Sequence, residues 1–114
     1  MPRSRRLVRA IEVRRVLTTG QRLRRPHLDI FWTANEAGHP RLGLVVSKAR
    51  ETGVARNRLR RRLKEVWRRE LQQGLPAFDV VIRTRREAYA ATFGTLRTEL
   101  LAWRERAGFG TGER

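Results

Sequence analysis

Between Ala55 and Glu70 the chain reads ARNRLRRRLKEVWRRE, placing eight basic side chains in sixteen positions and threading leucine, valine and tryptophan between them. Side chains of this kind break no bonds on their own; they hold phosphate. Each phosphate contact releases counterions, so several contacts from one rigid face give strong, salt-sensitive binding to a nucleic acid. Groups that could carry covalent or metal chemistry are sparse by comparison. His27 and His39 stand apart with no cysteine in the chain to join them, which removes thiol catalysis and leaves no metal-ligand pattern. Both histidines are therefore read as structural or solvated. Ser47 and Lys48 are adjacent, but a serine-lysine nucleophile needs a pocket and oxyanion donors that no motif here announces. The 11 carboxylates are scattered among arginines, with no DxD or ExxE-like cluster to hold two metal ions for phosphodiester cleavage. The chain by itself does not read as a nuclease.

The whole-chain balance points the same way. Against 11 acidic residues stand 27 Lys+Arg, giving a formal charge of +16 in 114 residues, and a polyanion is the default partner for such a surface. Only Lys48 and Lys64 are lysines; the rest are arginines, whose planar fork suits phosphate and stays charged at any working pH. The length fits one domain, spanning 1–114. No apolar stretch reaches signal-peptide length at the N-terminus, and none approaches the roughly 20 residues of a membrane span. These features predict a soluble cytoplasmic protein with no membrane association.

A basic array is useful only if something rigid presents it. Leu7, Val8, Ile11, Val13, Val16 and Leu17 recur at helical spacing, predicting a first helix over 5–18 with Gly20 as a left-handed cap. HLDIFWT (27–33) alternates as a strand with two different faces, and RLGLVVS (41–47) is dense enough in apolar residues to be central in its sheet. The turn NEAGHP between them predicts an antiparallel pair. In the basic segment, Leu59, Leu63, Val66, Trp67 and Leu71 share one helical stripe marred by Glu70, while most of the arginines fall on the opposite arc. This helix ends by Gly74 and Pro76. FDVVIRT (78–84) is a further strand, and Tyr89, Phe93, Leu96, Leu100 and Trp103 form the seam of a final helix. Residues 107–114 read as a flexible tail. The order helix, strands, helix, strand, helix describes one α+β unit.

Phe31 lies on the strand face opposite Leu28, Ile30 and Trp32, so both faces of that strand carry an aromatic residue. Either helices cover both faces of the sheet, or one face is open for base stacking. Spacing alone leaves the two alternatives standing.

RLGLVVSK (41–48), followed by RNRLRRRLKE (56–65), resembles the signature of the bacterial ribonuclease P protein subunit: an apolar strand ending in Ser-Lys, a short connection, then Arg-Asn-Arg opening a basic helix. The likeness extends to the first helix ahead of Gly20 and to FDVVIRTRREA, and so covers nearly the whole chain apart from its tails. It implies a protein that joins a large catalytic RNA and helps it remove the 5′ leader of precursor tRNA, with Mg2+ held by RNA and substrate and no catalytic residue on this chain. By the same resemblance Arg56, Asn57, Arg58, Arg60 and Arg61 face the catalytic RNA, with Lys64, Arg68, Ser47 and Lys48 beside them. Val13, Leu17 and Phe31 match the leader-binding cleft. The family also implies a short strand from QRLRR, giving the order α-β-β-β-α-β-α around a mixed sheet, and a left-handed crossover through the basic helix. Val13 and Leu17 depart from the usual phenylalanine, which would leave Phe31 as the chief stacking residue. In the connection, Ala49, Glu51 and Gly53 stand where a second lysine, a glycine and an alanine are usual. No obligate protein partner is implied. The rival reading is a general RNA-binding or ribosome-associated protein with no part in tRNA processing.

Overall fold

The computed structural model describes residues 6, 7 and 9–109, and these form a mixed four-stranded sheet with helices on both faces. Helix α1 spans Ala10–Thr19, followed by strands β1 (Gln21–Arg24), β2 (Leu28–Ala34) and β3 (Arg41–Val45). Helix α2 (Gly53–Val66) runs on through a widened π turn, Trp67–Leu71, and a 3-10 turn, Gln72–Gly74. Strand β4 (Phe78–Thr84), a 3-10 turn at Arg86–Ala90 and helix α3 (Phe93–Arg106) complete the order α-β-β-β-α-β-α.

The strands lie in the order β1-β2-β4-β3. β4 is antiparallel to β2, pairing Phe31 with Val81, and parallel to β3, pairing Gly43 with Val81. Two expectations are corrected here. β2 and β3 are not partners, because β4 is inserted between them, and β3 is an edge strand rather than a central one. Its apolar density has another cause: Leu7 donates its N–H to the Leu42 carbonyl at 3.0 Å and covers that edge with a parallel bridge at Arg6.

Alternation along the strands builds two cores. Leu28, Ile30, Trp32, Leu42, Val80 and Ile82 face α2 and α3, where they meet Leu59, Leu63, Val66, Trp67, Leu71, Leu96, Leu100 and Trp103. Each fully buried aliphatic side chain there contributes about 1.5–3 kcal/mol by leaving water. On the other face Phe31 and Val81 pack with Leu7 and Val16 beneath α1. Helices thus cover both faces.

The first helix starts at Ala10, later than the apolar spacing predicts, because Leu7 is drawn to the edge of β3. Gly20 is extended, with φ −78°, and not left-handed. Its lack of a side chain serves close approach instead: a Cβ would lie 2.6 Å from the Val16 carbonyl oxygen and 2.8 Å from that of Trp32. Tyr89 belongs to the 3-10 turn, and α3 opens only at Phe93, where Thr92 caps the Thr95 N–H at 3.1 Å. Residues 107–109, expected to belong to a flexible tail, are held against the fold. Gly108, at φ +86°, closes α3 with its N–H bonded to the Glu105 carbonyl. Phe109 then packs edge-on against Phe78 and Trp103. Residues 110–114 lie outside the described residues.

Candidate nucleic-acid interface

The basic helix begins at Gly53, where the Thr52 hydroxyl accepts the Ala55 N–H at 3.0 Å. Arg56 therefore closes its first turn, and Asn57 and Arg58 begin the second. Leu59, Leu63 and Val66, none more than 2% exposed, bolt one side to the sheet. Arg61 and Arg68 lie opposite, with Arg58, Arg62 and Arg69 toward one flank and Arg56, Arg60 and Lys64 toward the other, all at fixed helical spacing.

Their surroundings divide them into two groups. Toward the C-terminal end, Arg68 and Arg69 share the Glu65 carboxylate at 2.8 and 2.6 Å. The hydrogen bond from Arg68 leads in holding the Glu65 carboxyl below its ordinary value. Arg68, expected at the RNA face, is thus tied within its own helix. Arg62 donates to the Ala91 carbonyl at 3.2 Å. Arg56, Arg58, Arg60, Arg61 and Lys64 are different: among the described residues none has a carboxylate within 4.0 Å. Among the described residues, the Arg56 side chain bonds only the Glu51 carbonyl, and the Arg60 side chain only that of Asn57. Five uncompensated cations on about two and a half turns repel one another and favour a polyanion.

Arg6 joins this group from a direction that the sequence did not single out. With Arg60 and Lys64 it borders a 160 Å³ groove floored by Leu42, Gly43 and Leu44 at the β3 edge. Ser47 plays a supporting part, since its N–H donates to the Thr84 hydroxyl at 2.9 Å and its carbonyl accepts from the Tyr89 hydroxyl. Lys48 is exposed beside it. The following Ala49 and Arg50 have φ of 41° and 63°, a left-handed pair that turns the chain into α2.

On the other side of the sheet, Val13 and Leu17 are half-buried on α1, and Phe31 lies beneath them. Phe31 is only 5% exposed, so of the two alternatives that spacing left standing the covered face is the one found. The guanidinium groups of Arg83 and Arg22 sit 4.9 and 5.4 Å from its centroid. Both are held by the buried Asp29 carboxylate, at 3.3 Å from Arg83 and 3.4 Å from Arg22, and Arg85 approaches it to 3.6 Å. Neither Arg22 nor Arg83 figured among the expected site residues. Strand alternation puts Arg83 on the same face as Val81, but only the β1-β2-β4 register brings Arg22 to the same ring.

A second buried carboxylate organises the far end of this face. Asp79 accepts from Arg41 at 2.8 and 2.9 Å, from Arg15 at 3.0 Å and from Asn35 at 2.7 Å. Burial pushes its carboxyl up, but the bonds from Arg41 and Asn35 and the charges of Arg41 and Arg15 outweigh that and hold it below its ordinary value. His27 is likewise structural, with its ring and backbone N–H on the buried Glu99 carboxylate. Among the described residues no three His, Asp or Glu side chains cluster as metal ligands, and no helix is long and apolar enough to cross a membrane.

A family model described as Ribonuclease P matches residues 1–108. A ribonuclease P protein component of Idiomarina loihiensis is 40% identical over 83 residues, covering 71% of this chain and 66% of that relative. One from Syntrophobacter fumaroxidans is 38% identical over 93 residues, covering 80% and 77%. Among solved structures, the RNase P protein from Thermotoga maritima, in complex with 1-(4-fluorophenyl)-2-thiourea, superposes with a TM-score of 0.78 at 26% identity, covering 88% of this chain and 97% of that one. The Staphylococcus aureus RNase P protein reaches 0.83 at 22% identity over 92% and 96%, a likeness that bears on the fold alone.

Proposed function

The chain belongs to the bacterial ribonuclease P protein family, the protein component of a tRNA-processing endoribonuclease, and from that premise we propose how its two faces divide the work. The α2 face docks on the catalytic RNA through Arg56, Asn57, Arg58, Arg60, Arg61 and Lys64, with Lys48 and Arg6 at its margin. The α1 face receives the single-stranded 5′ leader of precursor tRNA in the cleft of Val13, Leu17 and Phe31. Hydrolysis is left to the RNA, which holds Mg2+ together with the substrate. The carboxylates of this chain suit that division, since Asp29, Glu65, Glu70 and Asp79 are engaged by arginines rather than grouped toward an open site. The complex works in the cytoplasm and needs no second protein.

The observation that carries the docking role is the set of five cations on one rigid helix that have no carboxylate partner among the described residues. In the leader cleft, Arg22 and Arg83 offer phosphate contacts above Phe31. Leader bases then reach the ring only by displacing a guanidinium, or pack on Val13 and Leu17 at its margin. The test is cleavage of precursor tRNA by a matching catalytic RNA at modest Mg2+, with and without the protein. The protein should raise the rate, and protein alone should not cut. A rate indifferent to the protein, with ribosomal RNA co-purifying in place of the catalytic RNA, would reject the proposal.

A further inference from the structure

A hollow of about 270 Å³ lies between α2 and the 3-10 turn at Arg86–Ala90, away from the leader cleft. We propose that it is a single-nucleobase pocket that takes one unstacked guanine of the partner RNA. The inference rests on α2 facing RNA and adds which chemical group is read there.

The walls are built and held. Leu59, 2% exposed, lines the hollow with an apolar surface. Tyr89 is fixed by its hydroxyl on the Ser47 carbonyl, and Arg62 by its bond to the Ala91 carbonyl at 3.2 Å. An aromatic ring and a guanidinium plane are the two side-chain surfaces on which splayed-out RNA bases stack. The volume lies just under the usual range of small-ligand pockets, roughly 300–1,000 Å³, and so suits one base rather than two.

Glu51 decides what kind of group enters. It lines the same hollow, and among the described residues its carboxylate has no cation within 4.0 Å, in a chain carrying a formal charge of +16. A carboxylate there repels phosphate and accepts hydrogen bonds from N–H donors. Guanine alone among the four bases offers two neighbouring donors, N1–H and the N2 amino group, on its Watson–Crick edge. Adenine and cytosine set an acceptor beside their amino group, and uracil flanks its one N–H with two carbonyls. Arg58, also on the wall, is placed for the phosphate of the same nucleotide.

The test titrates the full chain with 5′-GMP, AMP, CMP and UMP, and separately with inorganic phosphate, following the backbone amide resonances of Ala55, Tyr89 and Ala90. GMP should bind at least about fivefold tighter than the others, the discrimination expected of one bidentate base contact. Glu51→Gln, an exposed change, should bring that preference close to unity without altering resonances elsewhere. An equal response to all four nucleotides, the same shifts from phosphate alone, or a preference untouched by Glu51→Gln would overturn the proposal. Because no catalytic RNA is present, a preserved guanine preference in a protein that does not assemble with that RNA would reject the docking role and leave the pocket standing.

Discussion

Arg15 of α1 donates to the buried Asp79 of β4 at 3.0 Å, and that bond ties the N-terminal helix to the middle of the sheet. Arg41 and Asn35 bind the same carboxylate from β3 and from the turn after β2, so one side chain joins four parts of the fold. This junction helps fix how α1 sits on the sheet. Asp79→Asn leaves Arg41 facing a neutral group, and removing one partner of a buried ion pair costs about 3–5 kcal/mol. Arg15→Gln, at a half-exposed side chain, should cost under about 1 kcal/mol while loosening α1. Urea unfolding at neutral pH separates the two. Leader binding to the assembled complex should weaken for Arg15→Gln, with RNA assembly unchanged.

The pH dependence of that junction has a definite sign. The Asp79 carboxyl is held below its ordinary value of 3.8 in the folded chain, so the folded state binds fewer protons than the unfolded state in this range. Its stabilisation is complete above that value and is lost as pH falls through it and then through the lower native one. The stability difference between the parent chain and Asp79→Asn should therefore shrink on acidification from pH 5 to about pH 2, followed by urea midpoints at each pH.

The two ends of α2 should differ in their salt response. Arg58→Ala removes a cation with no carboxylate partner among the described residues, and should weaken assembly with the catalytic RNA and reduce the slope of log affinity against log salt by roughly one unit. Arg68→Ala removes a side chain already paired with Glu65, and its effect on the slope should be much smaller. Equal slopes for the two variants would contradict the division of charge along the helix.

Gly20→Ala places a methyl group 2.6 Å from the Val16 carbonyl oxygen and 2.8 Å from that of Trp32, both backbone atoms that cannot rotate away. Overpacking of this kind costs about 1–3 kcal/mol. Thermal unfolding should show a lower midpoint, whereas a left-handed cap would instead have predicted a penalty from φ alone.

Thr52→Ala removes the acceptor for the Ala55 N–H at the start of α2 and should cost about 1 kcal/mol. Amide hydrogen exchange should quicken in the first turn of α2 while α3, capped separately by Thr92, stays unchanged.

Much of this molecule was legible along the chain. The Leu59, Leu63, Val66, Trp67 and Leu71 stripe, the bounds of β4 and the two faces of β2 follow from local periods, because helical and pleated backbones dictate which neighbours share a side. The Arg-Asn-Arg segment with its preceding strand pointed to the family for the same reason, since its meaning lies in short spacings. Tertiary structure alone decided what depends on residues far apart in sequence. Insertion of β4 between β2 and β3, the withdrawal of Leu7 from α1 and the packing of Phe109 all turn on long-range pairing, which local periodicity does not encode. The same holds for charge. Glu65 reaches Arg68 and Arg69 through helical neighbours, but only the assembled sheet brings Arg22 and Arg83 over Phe31 or Arg15 and Arg41 to Asp79. The sequence determined that the surface would be basic; the fold decided which arginines are engaged by carboxylates within the protein and which, among the described residues, are not.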